Sequence, residues 1–194
     1  MELEDVEEAF ALPNPQILQS FELHRALVTT KHITAPSLFK KGNWKSMDNP
    51  TLRSEIVAEH EKHLAKFEWN ASEQLKVSLM VQGTTTEAGW SIAQGGYGVI
   101  ASVNDQGWFG KGIYMSSSMR YAHKYAERTA SLAKKAPALL VCAVAPGNPF
   151  PIIHRKDGRS VEDGYQSHYT VGERSLSFLT PFFELVFSFP SFLI

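Results

Sequence analysis

Apolar positions recur along this chain at two different spacings, one typical of helices and the other typical of strands. Between residues 51 and 67 they return every three to four positions, with charged residues between them, which predicts an amphipathic helix packed on a core. From 75 to 81 every second residue is Leu or Val, as in a half-buried strand that ends at Gln82-Gly83-Thr84. Further elements are predicted as helices over 87–94 and 119–135 and as strands over 97–102, 139–145 and 185–189.

The residues that interrupt these patterns define the organisation of the chain. Pro13, Pro15 and Pro36 are expected to break any long helix near the start. We therefore predict an N-terminal extension over 1–45 and a single domain over 46–194. Short strands with few helices favour an α+β fold, in which helices flank antiparallel sheets.

Two histidines and one cysteine are the residues to consider as metal ligands. His60 and His63 lie three positions apart, close to a metal-ligand spacing, but no third ligand is near. We interpret both as solvated surface histidines and predict no metal site. Cys142 lies in an apolar run and is expected to be buried in a strand. A single cysteine excludes an internal disulfide and a cysteine-based zinc cluster.

Composition and charge narrow the choice of partners. The formal net charge is −1, and no block of Lys or Arg indicates a nucleic-acid backbone as partner. The first residues are acidic and no apolar run follows them, so we predict no secretory signal. The longest apolar stretches are too short to span a bilayer. We expect a cytoplasmic or nuclear protein without a membrane partner.

Three segments carry the chemistry, and their order is informative. The first is Gln82-Gly83-Thr84, after a predicted strand. The second covers residues 107–114, with the sequence GWFGKGIY, and is followed by Tyr125 eleven residues after Tyr114. The third is the strand segment FELVF, which contains Glu184. Neither a dinucleotide-binding glycine fingerprint nor a P-loop is complete here. In this order the segments resemble the ADP-ribosyltransferase domain of the poly(ADP-ribose) polymerase family.

The resemblance implies an ADP-ribosyltransferase fold with two packed, mainly antiparallel sheets and flanking helices. It also implies that NAD is the co-substrate and that nicotinamide is released as ADP-ribose is transferred. A protein is the expected acceptor, with one unit added to a side chain. By position, Gln82, Tyr114 and Glu184 match the catalytic triad of the family, with Gln82 in place of the usual histidine.

The same resemblance implies an NAD-binding set, which comprises Gln82, Gly83, Thr84, Tyr114, Ala122 and Tyr125. Gly83 would offer backbone groups to the carboxamide of nicotinamide, because a glycine permits close approach. Tyr114 and Tyr125 would stack on the nicotinamide ring, and Tyr121 is an alternative for the second ring. Ala122 stands where the family usually has a serine.

The reaction itself explains why a carboxylate is needed. Cleavage of the bond between nicotinamide and ribose leaves a ribose with oxocarbenium character, which a neighbouring carboxylate stabilises as in glycoside hydrolysis. Glu184 is the candidate, because an acid in an apolar strand requires a reason to be there.

Two other functions remain open at this point. The domain is alternatively a catalytically inactive module, disabled by Gln82, that holds NAD or ADP-ribose or docks a partner. It is alternatively an NAD glycohydrolase that uses water as acceptor. Residues 101–106 match a loop that covers the donor in the family, but they are short. His168 is interpreted as a solvated loop histidine rather than a substitute for the missing triad histidine.

Overall fold

The computed structural model describes residues 6–40, 42–97, 107–155 and 159–171, together with the backbone of 183–187. The loop at 101–106 lies outside these residues, as does all but the first position of the strand predicted over 97–102. The helices, strands, clusters and contacts of the protein are those of this part of the chain.

Four α-helices and six strands form the described fold. The helices are α1 (Pro15–Thr34), α2 (Pro50–Leu64), α3 (Thr86–Gly95) and α4 (Met119–Ala133). Short 3-10 helices span Pro36–Leu38, Asn43–Ser46 and Glu68–Asn70. The strands are β1 (Ser78–Thr85), β2 (Ile113–Ser116), β3 (Pro137–Val144), β4 (Pro149–Pro151), β5 (Ser167–Val171) and β6 (Phe183–Phe187). None of the described helices is both long and apolar enough to cross a bilayer.

Helix α1 contradicts the expectation that prolines prevent a long helix near the start. Pro15 occupies the first turn, where its missing N–H costs nothing, and Asn14 caps the helix by accepting from the N–H of Ile17 at 3.1 Å. Pro36 follows the last turn. The prolines therefore flank a helix of 20 residues instead of interrupting it.

The six strands form one sheet in the order β3-β1-β2-β6-β5-β4. All pairs are antiparallel except β4 with β5, so the predicted α+β class with mainly antiparallel pairing and flanking helices is confirmed. The strands form one continuous sheet, whereas two packed sheets were expected. A single residue pair, Val81 with Ser116, joins β1 to β2 and so connects a two-stranded half to a four-stranded half.

Strand β1 begins and ends later than the alternating pattern predicted. Asn70 holds the preceding segment, because its side chain accepts from the N–H of Val77 and donates to the carbonyl of the same residue. Pairing with β3 then continues as far as Thr85. Residues 82–84 consequently lie inside the strand, and the expectation that they end it was wrong.

Helix α4 packs on β1 at very short range. Ala122, Ala126 and Ala130 are buried along the side of the helix that faces the sheet. A Cβ on Gly83 would overlap the backbone oxygen of Ala122 and would lie 2.7 Å from the backbone nitrogen of Ala126. Only glycine at position 83 permits this approach.

Two apolar clusters fill the interior. One lies under the sheet and contains Met80, Met115 and Tyr169, with Ile56 contributed by α2. Cys142 belongs to this cluster and is buried in β3, as predicted. The second cluster is built around Phe150 and Trp44.

His60 and His63 are buried, and the interpretation as solvated surface histidines was wrong. Four-residue spacing explains this, because His60 lies midway between Ile56 and Leu64 on the buried face of α2. The His60 ring packs against Tyr169 with ring centroids 4.3 Å apart. Burial lowers the pKa of His60 from 6.5 to about 4.

We predict that the fold loses stability as the pH falls from 6.5 towards 4. In that window the unfolded chain binds a proton at His60 that the folded chain excludes, so acid favours unfolding. The loss between about pH 7.5 and about pH 5 is roughly 2 kcal/mol for this one group. Urea unfolding at the two pH values measures it for the wild type and for His60→Phe, which retains a ring and cannot titrate. We expect a clearly smaller pH dependence in His60→Phe.

His123→Gln, on the partly exposed surface of α4, is the matched control and should keep the pH dependence of the wild type. Equal pH dependence in the wild type and in His60→Phe would contradict the assignment.

Candidate active site

A cavity of about 540 Å³ lies where β1 and β2 separate. The two strands pair at Val81 and Ser116 and diverge beyond that point, so a gap opens between them. The volume is in the range that small-molecule sites occupy. The described residues that line the cavity come from β1, from residues 107–116 and from α4, and are Val81, Gln82, Gly83, Gly107, Trp108, Phe109, Gly112, Ile113, Tyr114, Met115, Ser116, Tyr121, Ala122, Tyr125, Arg128 and Thr129.

Most of the residues expected from the sequence meet in this cavity. Gln82, Gly83, Tyr114, Ala122 and Tyr125 all line it, although they come from three separate parts of the chain. These residues are therefore close enough to contact one ligand.

Thr84 is the member of the expected set that does not line the cavity. Its methyl group lies near Gly89 of α3, and the side chain is buried there. By alternation Thr84 lies on the same side of β1 as Gln82, but it lies two positions further along the strand and packs next to α3 instead of the cavity.

Tyr114 is held in place by the turn that precedes its strand. Its hydroxyl accepts from the N–H of Phe109 at 2.9 Å and donates to the carbonyl of Gly110 at 2.7 Å. Gly107 has a positive φ of 38° and lies so close that a Cβ would overlap the Tyr114 hydroxyl. The glycines of this segment thus allow the backbone to wrap around the tyrosine.

His168 supports the same turn from behind, and its interpretation as a solvated loop histidine was wrong. It lies in β5 and is fully buried. Its Nδ1 donates to the carbonyl of Phe109 at 2.7 Å, and its Nε2 accepts from the N–H of Glu162 at 3.2 Å. Because a carbonyl only accepts and an amide only donates, these partners select the neutral ring protonated on Nδ1.

The two tyrosines of α4 both reach the cavity. Tyr121 and Tyr125 lie one turn apart, with hydroxyls 3.1 Å from each other and ring centroids 5.1 Å apart. Tyr125 is 48% exposed, so much of its ring is available to a ligand. Either ring is placed to be the second aromatic surface opposite Tyr114.

Gln82 lines the cavity and carries a buried side-chain acceptor. Its Oε1 is buried and has no hydrogen-bond partner within the described residues. Buried polar atoms are normally satisfied, because leaving one unpaired costs about 1–3 kcal/mol. The atom is closed to solvent as it stands, so a hydroxyl or N–H group of a ligand can satisfy it only after the Gln82 side chain turns toward the cavity.

Glu184 lies one strand away from the wall of the cavity. Its Cα is paired with that of Ser116, which lines the cavity, and on the other side with that of Thr170. The register therefore sets Glu184 in the middle of the sheet, beside the β2 residue at which β1 and β2 separate.

A comparison of the chain with protein-family models gives a match to the poly(ADP-ribose) polymerase catalytic domain over residues 45–179. Among solved structures it is similar to the PARP domain of Arabidopsis RADICAL-INDUCED CELL DEATH1, with 15% sequence identity and a TM-score of 0.40, over 73% of this chain and 76% of that chain. No curated protein matches the chain significantly. Because the family model covers well over half of the sequence, the chain belongs to the poly(ADP-ribose) polymerase catalytic domain family.

Proposed function

We propose that this domain binds NAD in the cavity between β1 and β2 and transfers ADP-ribose to protein side chains, one unit at a time, with release of nicotinamide. The observation that carries the proposal is the meeting of Gln82, Gly83, Tyr114 and Tyr125 in one cavity. The transferase domain is assigned to 46–194, after an extension over 1–45. We place its action in the cytoplasm or the nucleus.

Nicotinamide is the part of NAD that the inner cavity suits best. It is flat, so it can stack on Tyr114, whose ring is fixed by two hydrogen bonds of its hydroxyl. Tyr125 supplies the second surface. The backbone of Gly83 offers hydrogen bonds to the carboxamide, because β2 no longer pairs with β1 at that position.

The chemical step requires a negative charge beside the ribose. As the bond to nicotinamide breaks, its electron pair leaves with the nicotinamide nitrogen and positive charge develops on the ribose. The carboxylate of Glu184 stabilises that charge, and a nucleophilic oxygen of the acceptor then forms the new bond and releases its proton to water. Gln82 holds a hydroxyl of the ribose in the adenosine half of NAD through its side-chain amide.

The replacement of histidine by Gln82 favours one second candidate, an inactive module that binds NAD or ADP-ribose or docks a partner. Binding of NAD without nicotinamide release would support it. A third candidate, NAD glycohydrolysis, would release free ADP-ribose without an acceptor. Incubation with labelled NAD distinguishes the three, because only a transferase labels a protein.

We predict that Glu184→Gln slows nicotinamide release about a hundredfold, which corresponds to roughly 3 kcal/mol in the barrier. The substitution keeps the shape and removes the charge that meets the developing cation. The dissociation constant of NAD should change far less, because the charge arises mainly in the transition state. Asp163→Asn, outside the cavity lining, is the control and should retain the wild-type rate. An unchanged rate in Glu184→Gln would mean that another residue stabilises the developing charge.

We predict that Tyr125→Ala weakens NAD binding about tenfold, through loss of stacking and of buried apolar area. Calorimetry should compare it with Tyr121→Ala, and the variant with the larger loss identifies the second ring. Leu132→Ala, at an exposed position of the same helix, is the matched control. If both tyrosine variants bind as tightly as the control, neither ring stacks on the ligand.

We predict that Gln82→His keeps the fold and preserves or raises the rate of NAD turnover. Histidine also offers an acceptor nitrogen at this position, and it is the usual residue of the family. Turnover is measured as nicotinamide released per enzyme, with thermal unfolding as the check on folding. A folded variant without turnover would show that glutamine has a role of its own.

A further inference from the structure

The cavity is lined by neutral residues with one exception, which is Arg128 on α4. Among the described lining residues it is the single charged side chain. It lies three positions after Tyr125 and seven after Tyr121, so all three occupy one face of the helix. Thr129, the next residue, also lines the cavity and carries a hydroxyl.

Arg128 is exposed and carries no ion pair within the described part of the chain. Other arginines are engaged differently. Arg53 is buried and bonded to Asp48, and Arg25 lies 3.2 Å from Glu22. Arg155 lies over the ring of Trp108, 4.5 Å from its centroid. The donors of Arg128 are therefore available to a molecule in the cavity.

We infer that Arg128 is the specificity-determining residue for the diphosphate of the dinucleotide, an inference that rests on the proposed function. A guanidinium presents a planar set of donors that matches phosphate oxygens, and the Thr129 hydroxyl is a further donor in the same cavity. The aromatic face of α4 takes the flat nicotinamide ring, and one turn further along the same face takes the negatively charged diphosphate. The same helix thus contacts both the nicotinamide ring and the diphosphate.

Calorimetric titration with three ligands tests this inference. NAD and ADP-ribose contain the diphosphate, and nicotinamide does not. We expect Arg128→Gln to bind NAD and ADP-ribose about tenfold more weakly than the wild type, the usual effect of losing a charged hydrogen bond, and to bind nicotinamide equally well. Arg128→Lys should recover part of the affinity, and raising the ionic strength should reduce the difference between wild type and Arg128→Gln.

Arg120→Gln, an exposed position of α4 that does not line the cavity, is the matched control and should bind all three ligands as the wild type does. If the wild type binds NAD and Arg128→Gln binds it equally well, the role of Arg128 is overturned while the proposed function stands. Equal weakening of NAD and nicotinamide would also overturn it, because the residue would then support the pocket rather than the phosphates. A wild type that binds none of the ligands would overturn the proposed function and this inference together.

Discussion

The approach of α4 to β1 at Gly83 is the contact on which the rest of the site depends. No side chain separates the two backbones there, because a Cβ on Gly83 would overlap the Ala122 carbonyl oxygen. The small buried residues of α4 continue this close packing along the helix. With the axis of the helix fixed in this way, the positions of Tyr125 and Arg128 relative to Gln82 follow from helical geometry alone.

The opposite wall of the cavity is fixed by a different device. Residues 107–110 form a turn around the hydroxyl of Tyr114, and His168 holds the carbonyl of Phe109 from the far side of that turn. Lys111 is tied to the loop beyond β4, since its N–H donates to the carbonyl of Arg159 at 2.7 Å. Buried hydrogen bonds of this kind keep an irregular segment in one conformation, which a binding site requires.

Much of this arrangement could be predicted from the sequence, because the periodicity of strongly patterned segments survives in the fold. The helix starting at Pro50 and the alanine-rich helix from Met119 were both identified, and so were the strands around Cys142 and Glu184. The glycine-bearing segment before Tyr114 lines the cavity, as Tyr114 itself does.

The failures share one physical cause, which is that local composition does not reveal the tertiary environment. Pro15 reads as a breaker until its position in the first turn is known. His60 and His168 are polar in sequence and buried in space. For His60 the four-residue spacing from Ile56 carried the signal, whereas His168 lies in a strand that is buried on both faces and shows no such pattern. Pairing across the sheet was equally hidden, so the extension of β1 through Gly83 could not be anticipated from the residues of that strand alone.

The junction at Val81 and Ser116 has a consequence for the mechanics of the domain. Backbone pairing joins the two halves of the sheet at one residue pair, whereas β1 and β3 are paired along eight. A molecule in the gap contacts both halves of the sheet. Its binding therefore adds contacts between β1 and β2, where backbone pairing is limited to one residue pair. Occupancy of the cavity and rigidity of the sheet are then thermodynamically linked. A bound ligand stiffens the junction between the two halves, and a stiffer junction binds the ligand more tightly.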